Sequence, residues 1–225
     1  MEEKTEPPYI YGGNYGCIYR NAKHFNDIVF LGENYLNYKI QKIKIWSGEK
    51  DSNKIIKGIQ VWYKNLLDGN IITPGEFKGD NQLLNADELE IKSNEYLNTF
   101  NIRVDNEVTQ LELGTNKNNK ISVGGTTGEE KYIPFNGGDN VFIFFYGSYE
   151  DALNSLGVGY IHKKDYMAIF FFGYFQLRYK LKNDEKFKKE WIEKENTLKE
   201  EDKALLKTCL LPDTSFNEII KFVLI

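Results

Sequence analysis

The sequence is poor in the residues that chemistry most often uses. Two cysteines, Cys17 and Cys209, and two histidines, His24 and His162, occur in 225 residues. Two distant cysteines make no disulfide framework and fit a reducing compartment. Two isolated histidines lack metal-ligand spacing, so no metal or other cofactor is expected, and they read as ordinary surface or strand-end residues. A basic excess is missing too: Lys and Arg total 29 against 33 Asp and Glu, for a net charge of -4. That balance does not neutralise a phosphate backbone, so nucleic-acid binding is not expected. Long apolar runs are absent. The most apolar stretch, Tyr166–Leu177, has 12 residues, too short to span a bilayer as a helix. The N-terminal MEEKTEPPYIYGG has acidic residues and prolines but no apolar core, so it does not read as a secretory signal. The expected location is the cytoplasm or an intracellular assembly. Finally, no nucleophile–base pair, metal set or phosphate loop is visible, so an enzyme is not expected.

What is present divides near Ile161. Of the 19 glycines, 17 lie between Gly12 and Gly157, among short alternating runs. Ile40, Lys42, Lys44 and Trp46 alternate with Gln41, Ile43, Ile45 and Ser47. Further strand-like runs are Ile56–Tyr63, Leu89–Ile91, Thr99–Val104, Val108–Leu113, Lys120–Val123 and Asn140–Tyr146. Between them stand turn residues such as Asp68-Gly69-Asn70, Pro74-Gly75 and Asn136-Gly137-Gly138-Asp139. Many short strands with Gly/Asn turns predict an all-β sandwich, barrel or prism over 10–161, after an N-terminal extension of residues 1–9. Residues 162–225 differ, with 13 Lys and Arg against 11 Asp and Glu. Asn183 is expected to cap a helix carrying Asp184 and Glu185 in its first turn. Phe187, Trp191, Leu198 and Leu205 then form one apolar stripe, Pro212 ends the helix, and Ser215 with Glu218 opens a last short one. So narrow a stripe on a charged helix is expected to contact other protein subunits, while Tyr166–Phe175 packs on the β-domain.

Several runs, in order, resemble the jacalin-related lectins. Tyr11-Gly12-Gly13-Asn14-Tyr15-Gly16 is similar to the family's glycine-rich first loop. Ile40–Trp46 and Ile56-Lys57-Gly58-Ile59-Gln60-Val61-Trp62-Tyr63 resemble two of its strands, and Glu88-Leu89-Glu90-Ile91 a third. Thr115-Asn116-Lys117 is similar to a hairpin, followed by Gly124-Gly125 and Gly128. Phe144-Phe145-Tyr146-Gly147 leads into Leu153-Asn154-Ser155-Leu156-Gly157-Val158, similar to the closing motif. The resemblance implies a β-prism of three four-stranded Greek-key sheets, followed here by a C-terminal helical extension that it does not cover.

It also implies a non-catalytic, carbohydrate-binding domain. In the family the sugar sits between the first Gly-rich loop and the last loop, held by backbone N–H groups and an aspartate. Glycines let the backbone approach the sugar ring without a Cβ in the way. Carried over, Gly12 and Gly13 are first-loop contacts, and Tyr149, Glu150 and Asp151 line the last loop. As a catalytic pair, Glu150 and Asp151 are a poor reading, since adjacent loop carboxylates are usually just solvated. The chain departs from the pattern at two positions of the last loop. Asn154 stands where the family has its sugar-binding aspartate, and Glu150 where it has a loop glycine. An amide loses the charge-assisted hydrogen bond of a carboxylate. In the first loop Tyr15 and Cys17 interrupt the glycines, and Ile18–His24 reads as an insertion. The expected function is therefore a lectin-type glycan binder with a degenerate sugar site. The alternative is a structural subunit of a larger intracellular assembly, held by its helical tail.

Overall fold

The computed structural model describes residues 9–78, 85–132, 140–166, 179 and 181–194. Among them, strands form three antiparallel sheets. Each sheet is built on a hairpin flanked by one strand position on either side. In the first, β1 (Ile10–Gly16), β13 (Leu153–His162), β12 (Asn140–Tyr149) and β2 (Lys23–Asn26) lie in that order. In the second, β3 (Tyr38–Lys50) pairs with β4 (Asn53–Asn65), and β7 (Asn85–Glu90) flanks β3. The far edge of β4 takes β5 (Ile71–Ile72) near Tyr63 and β6 (Glu76–Lys78) near Ile59, two short pieces sharing one strand position. In the third, β10 (Lys120–Gly124), β9 (Val108–Thr115), β8 (Leu97–Val104) and β11 (Glu129–Tyr132) follow in order. Numbering each sheet from its hairpin, the order is third, second, first, fourth, which is a Greek key. This is the expected β-prism of three four-position sheets.

The alternation read from the sequence places the core. Ile43, Ile45, Ile59, Val61, Leu111, Leu113, Phe145, Leu156 and Val158, drawn from all three sheets, are completely buried. Each such side chain contributes about 1.5–3 kcal/mol relative to exposure. The register of β3 shifts between Ile40 and Lys42, so Ile40 and Ile43 both point inward although three residues apart.

A short helix, α1 (Asp27–Leu31), and a 3₁₀ turn (Gly32–Asn37) interrupt the β-pattern. Asn26 caps α1 by accepting from Ile28 N at 3.3 Å. The segment expected as an insertion, Ile18–His24, is not all loop. Lys23 and His24 belong to β2 and pair with Tyr149 and Ser148, leaving residues 17–22 as the segment between β1 and β2.

The first compact unit runs through Met167, past the expected boundary at Ile161, and the second begins at Ala168. Residues 163–166 form a helical turn in the first unit. There Tyr166 is buried, its ring 5.9 Å from that of Tyr96. In the second unit, residues 181–183 are helical and α2 spans Glu185–Lys194. Lys188 N donates to Asp184 O at 2.9 Å, so the helix starts one residue later than expected. Asn183 instead donates to Tyr179 O at 2.8 Å, which keeps its amide on the preceding turn. Ile192 is exposed on α2. The side chains of Phe187 and Trp191, the rest of the 167–177 stretch, and Leu198, Leu205, Pro212, Ser215 and Glu218 lie outside the described residues.

Candidate functional site

Three hairpin tips, one from each sheet, gather at one end of the prism. The β3–β4 tip is Asp51-Ser52, with both residues at positive φ (50° and 66°), the geometry of a two-residue hairpin turn. The β8–β9 tip is Asp105–Glu107, where Asp105 N donates to Glu107 O at 3.0 Å. The β12–β13 tip is Glu150–Ala152, where Glu150 N donates to Ala152 O at 3.0 Å. An ion pair between Lys50 and Glu107 ties the first tip to the second. That bond raises the Lys50 ammonium above its ordinary pKa. Lys57 of β4 donates to Asp151 O at 3.5 Å and ties the third tip to the second sheet.

The segment leaving β1 lies across this end. Gly16 is the last residue paired to β13, opposite Ser155, and Cys17 N then donates to Asn154 O at 3.1 Å. Cys17 Sγ lies 3.7 Å from Asp105 O, and the Tyr19 hydroxyl donates to Asn106 O at 3.2 Å. A chain that starts on the first sheet is thus fastened to the third. Burial raises the Tyr19 phenol pKa, Cys17 and Glu107 add to the rise, Lys50 opposes it, and Glu150 adds a further part. Glu107 and Glu150 belong to two of the tips and Lys50 adjoins the other, so the Tyr19 hydroxyl lies near all three. The joint recurs elsewhere in the prism: Gly124 ends β10 at φ +110°, and Gly125 N donates to Thr109 O at 2.8 Å.

The sequence-derived residues divide between two places. Asn154 is 2 % exposed, and its Oδ1 has no hydrogen-bond partner among the described residues. It is the extra residue of a bulge in β13, between Leu153 opposite Tyr149 and Ser155 opposite Ser148, and both of those neighbours are completely buried. Glu150 and Asp151 are exposed and Tyr149 half-buried, with Lys23 Nζ 5.9 Å over the Tyr149 ring. Gly12 and Gly13 sit elsewhere. They form the bulge of β1 between Tyr11, opposite Gly159, and Asn14, opposite Gly157. That is about four residues, or ~13 Å, along β13 from Asn154. There the Gly13 carbonyl accepts from Tyr146 at 2.7 Å, within a cluster of Tyr9, Tyr11, Phe144 and Tyr146 rings. The first-loop glycine that meets the last loop is Gly16. Sequence reasoning missed it, together with Tyr19, Lys50 and Asn106. Gly16 belonged to the same glycine run, but nothing in the local sequence marks the other three.

The sequence matches the jacalin-like lectin domain family over residues 10–159. The chain belongs to the jacalin-like lectin family. Members of that family are carbohydrate-binding domains without catalytic activity. Solved jacalin-type lectins share the fold of the prism. Malaysian banana lectin is 19 % identical, with a TM-score of 0.54 over 68 % of this chain and 99 % of that one. A mannose-binding jacalin-related lectin from Ananas comosus gives 19 %, 0.54, 69 % and 99 %. Calystegia sepium agglutinin gives 20 %, 0.54, 70 % and 99 %. No curated protein matches the sequence significantly. Within the jacalin-like domain, the described residues contain no group of three or more His, Cys, Asp or Glu placed to hold a metal ion, and no helix long and apolar enough to cross a membrane.

Proposed function

We propose that this jacalin-like domain binds saccharide at the prism end formed by the three hairpin tips, with low affinity for single sugars. The observation that carries the reading is Asn154. It occupies the position where the family has an aspartate, but as a neutral amide that solvent does not reach. A sugar hydroxyl donating to an amide oxygen makes a neutral bond in place of a charge-assisted one, a loss of about 1–1.5 kcal/mol, or roughly 5- to 13-fold in affinity. Glu150 adds a charged side chain where the family leaves room for the ring. The exposed backbone of the tips, with Asp151 and the half-buried Tyr149, supplies the remaining polar and aromatic surface.

Titration calorimetry with methyl α-mannoside, galactose and glucose tests this reading. The wild type is expected to bind weakly, and Asn154→Asp with Glu150→Gly to bind roughly tenfold tighter or more. A carboxylate at position 154 also resists burial, which favours an open, hydrated site. Wild-type affinity equal to that of the double variant contradicts the reading. The other role read from the sequence, a subunit held in an assembly by its tail, depends on Phe187, Trp191, Leu198 and Leu205, whose side chains are outside the described residues.

A further inference from the structure

We propose that residues 17–22 form a strap closed over the saccharide position, and that Tyr19 is its latch. The inference rests on the saccharide reading above and adds how access to that site is controlled. Two groups at this end are suited to holding a sugar, the first-loop backbone at Cys17 and the Asn154 side chain. Neither is free. The Cys17 N–H is committed to Asn154 O at 3.1 Å, and Asn154 is 2 % exposed. The closed arrangement leaves Asn154 Oδ1 buried without a donor among the described residues. A buried acceptor without a partner is costly, so this state is poised against one in which a ligand hydroxyl supplies the missing donor.

The fastenings of the strap fit a device that opens. Beyond Cys17 N, it is held to the third sheet by the weak thiol contact of Cys17 to Asp105 O and by the Tyr19 hydroxyl on Asn106 O. Both acceptors are main-chain carbonyls of an exposed turn, which water can satisfy when the strap lifts. Residues Ile18, Arg20 and Asn21 are exposed, while Ala22 is buried and anchors the far end beside β2. A saccharide therefore binds only the fraction of molecules with the strap lifted, and its apparent affinity is reduced by that fraction.

Tyr19→Phe keeps the ring and removes the latch bond. Two measurements follow, both in a Cys209→Ser background: the affinity for methyl α-mannoside and for a biantennary N-glycan, and the alkylation rate of Cys17 by iodoacetamide. The latch bond is an ordinary neutral hydrogen bond, so Tyr19→Phe should tighten saccharide binding about fivefold and speed Cys17 alkylation by a similar factor. Saturating saccharide should speed alkylation in the wild type. If saccharide binds but Tyr19→Phe leaves affinity unchanged or weakens it, or if saccharide slows alkylation, the strap is overturned while the saccharide site stands. If neither protein binds either probe, the saccharide reading itself fails, and the strap with it.

Discussion

Gly16→Ala should destabilise the prism by roughly 3 kcal/mol, lowering the melting temperature by roughly 6–12 °C for a domain of this size. Two independent costs combine at this position. Gly16 has φ +117°, a conformation that L side chains rarely adopt. A Cβ there would also lie 2.1 Å from Asn154 O and 2.9 Å from Ser155 Cα, both backbone atoms of the neighbouring strand. Neither can rotate away, so β1 must separate from β13 at the point where the strap begins. Gly48→Ala is the control. Gly48 is not at positive φ, and its added Cβ would meet only the flexible Lys57 side chain, at 3.2 Å. Its effect should stay within about 0.5 kcal/mol of zero. Thermal melts that show equal effects at the two positions would contradict the geometry assigned to the β1–β13 joint.

The second large effect is a loss of stability as pH rises toward neutral, caused by one buried carboxyl. Asp27, the first residue of α1, is 1 % exposed and accepts from the hydroxyl of Tyr63, itself completely buried. Burial pushes its pKa up to about 7, against the smaller opposing pull of hydrogen bonds from Tyr63 and the Phe145 backbone. The unfolded chain releases this proton near 3.8 and the folded chain only near 7. The folded state therefore holds the extra proton between those values. Its contribution is fully present below pH 3.8 and is lost progressively up to about 7. The whole difference is on the order of 4 kcal/mol. Asp27→Asn keeps an oxygen for the Tyr63 hydroxyl and cannot ionise. Unfolding by urea at several pH values should show the wild type losing stability relative to Asp27→Asn from acid to neutral pH. Parallel curves for the two proteins would mean that Asp27 does not titrate in this range.

Much of the prism was legible because its sheets are amphipathic. Strand β4 was visible in Ile56–Tyr63 because one side of it meets the core and its turns carry Asp and Gly. The strict alternation read over Ile40–Ser47 held only in part, because a bulge at Gln41 resets the register, and a bulge leaves no simple pattern in a single strand. The pairing of β1 was hidden for a related reason: a glycine-rich segment reads as a loop when half of it is a bulged edge strand. Helix α1 was missed because five residues are too few for helical periodicity, and Asp27 because a lone acid next to Asn reads as solvated or capping. At the candidate site, the amide at Asn154 could be read as a substitution within a motif. The closure over it could not. It depends on contacts between residues 88 and 87 positions apart, Cys17 with Asp105 and Tyr19 with Asn106, which only the packing of one sheet against another brings together.

The central claim is that saccharide binds at the prism end, between the β1 exit and the three hairpin tips. Amide chemical-shift mapping by NMR during a titration with methyl α-mannoside tests it most directly. Concentration-dependent shifts are expected, confined to Gly16–Ala22, Asp105–Glu107 and Glu150–Ser155. The largest should fall at Cys17 and Asn154, and the Gly12–Gly13 bulge should stay still. Shifts centred on Tyr11, Gly13 and Tyr146 instead, or none at saturating sugar, would contradict it.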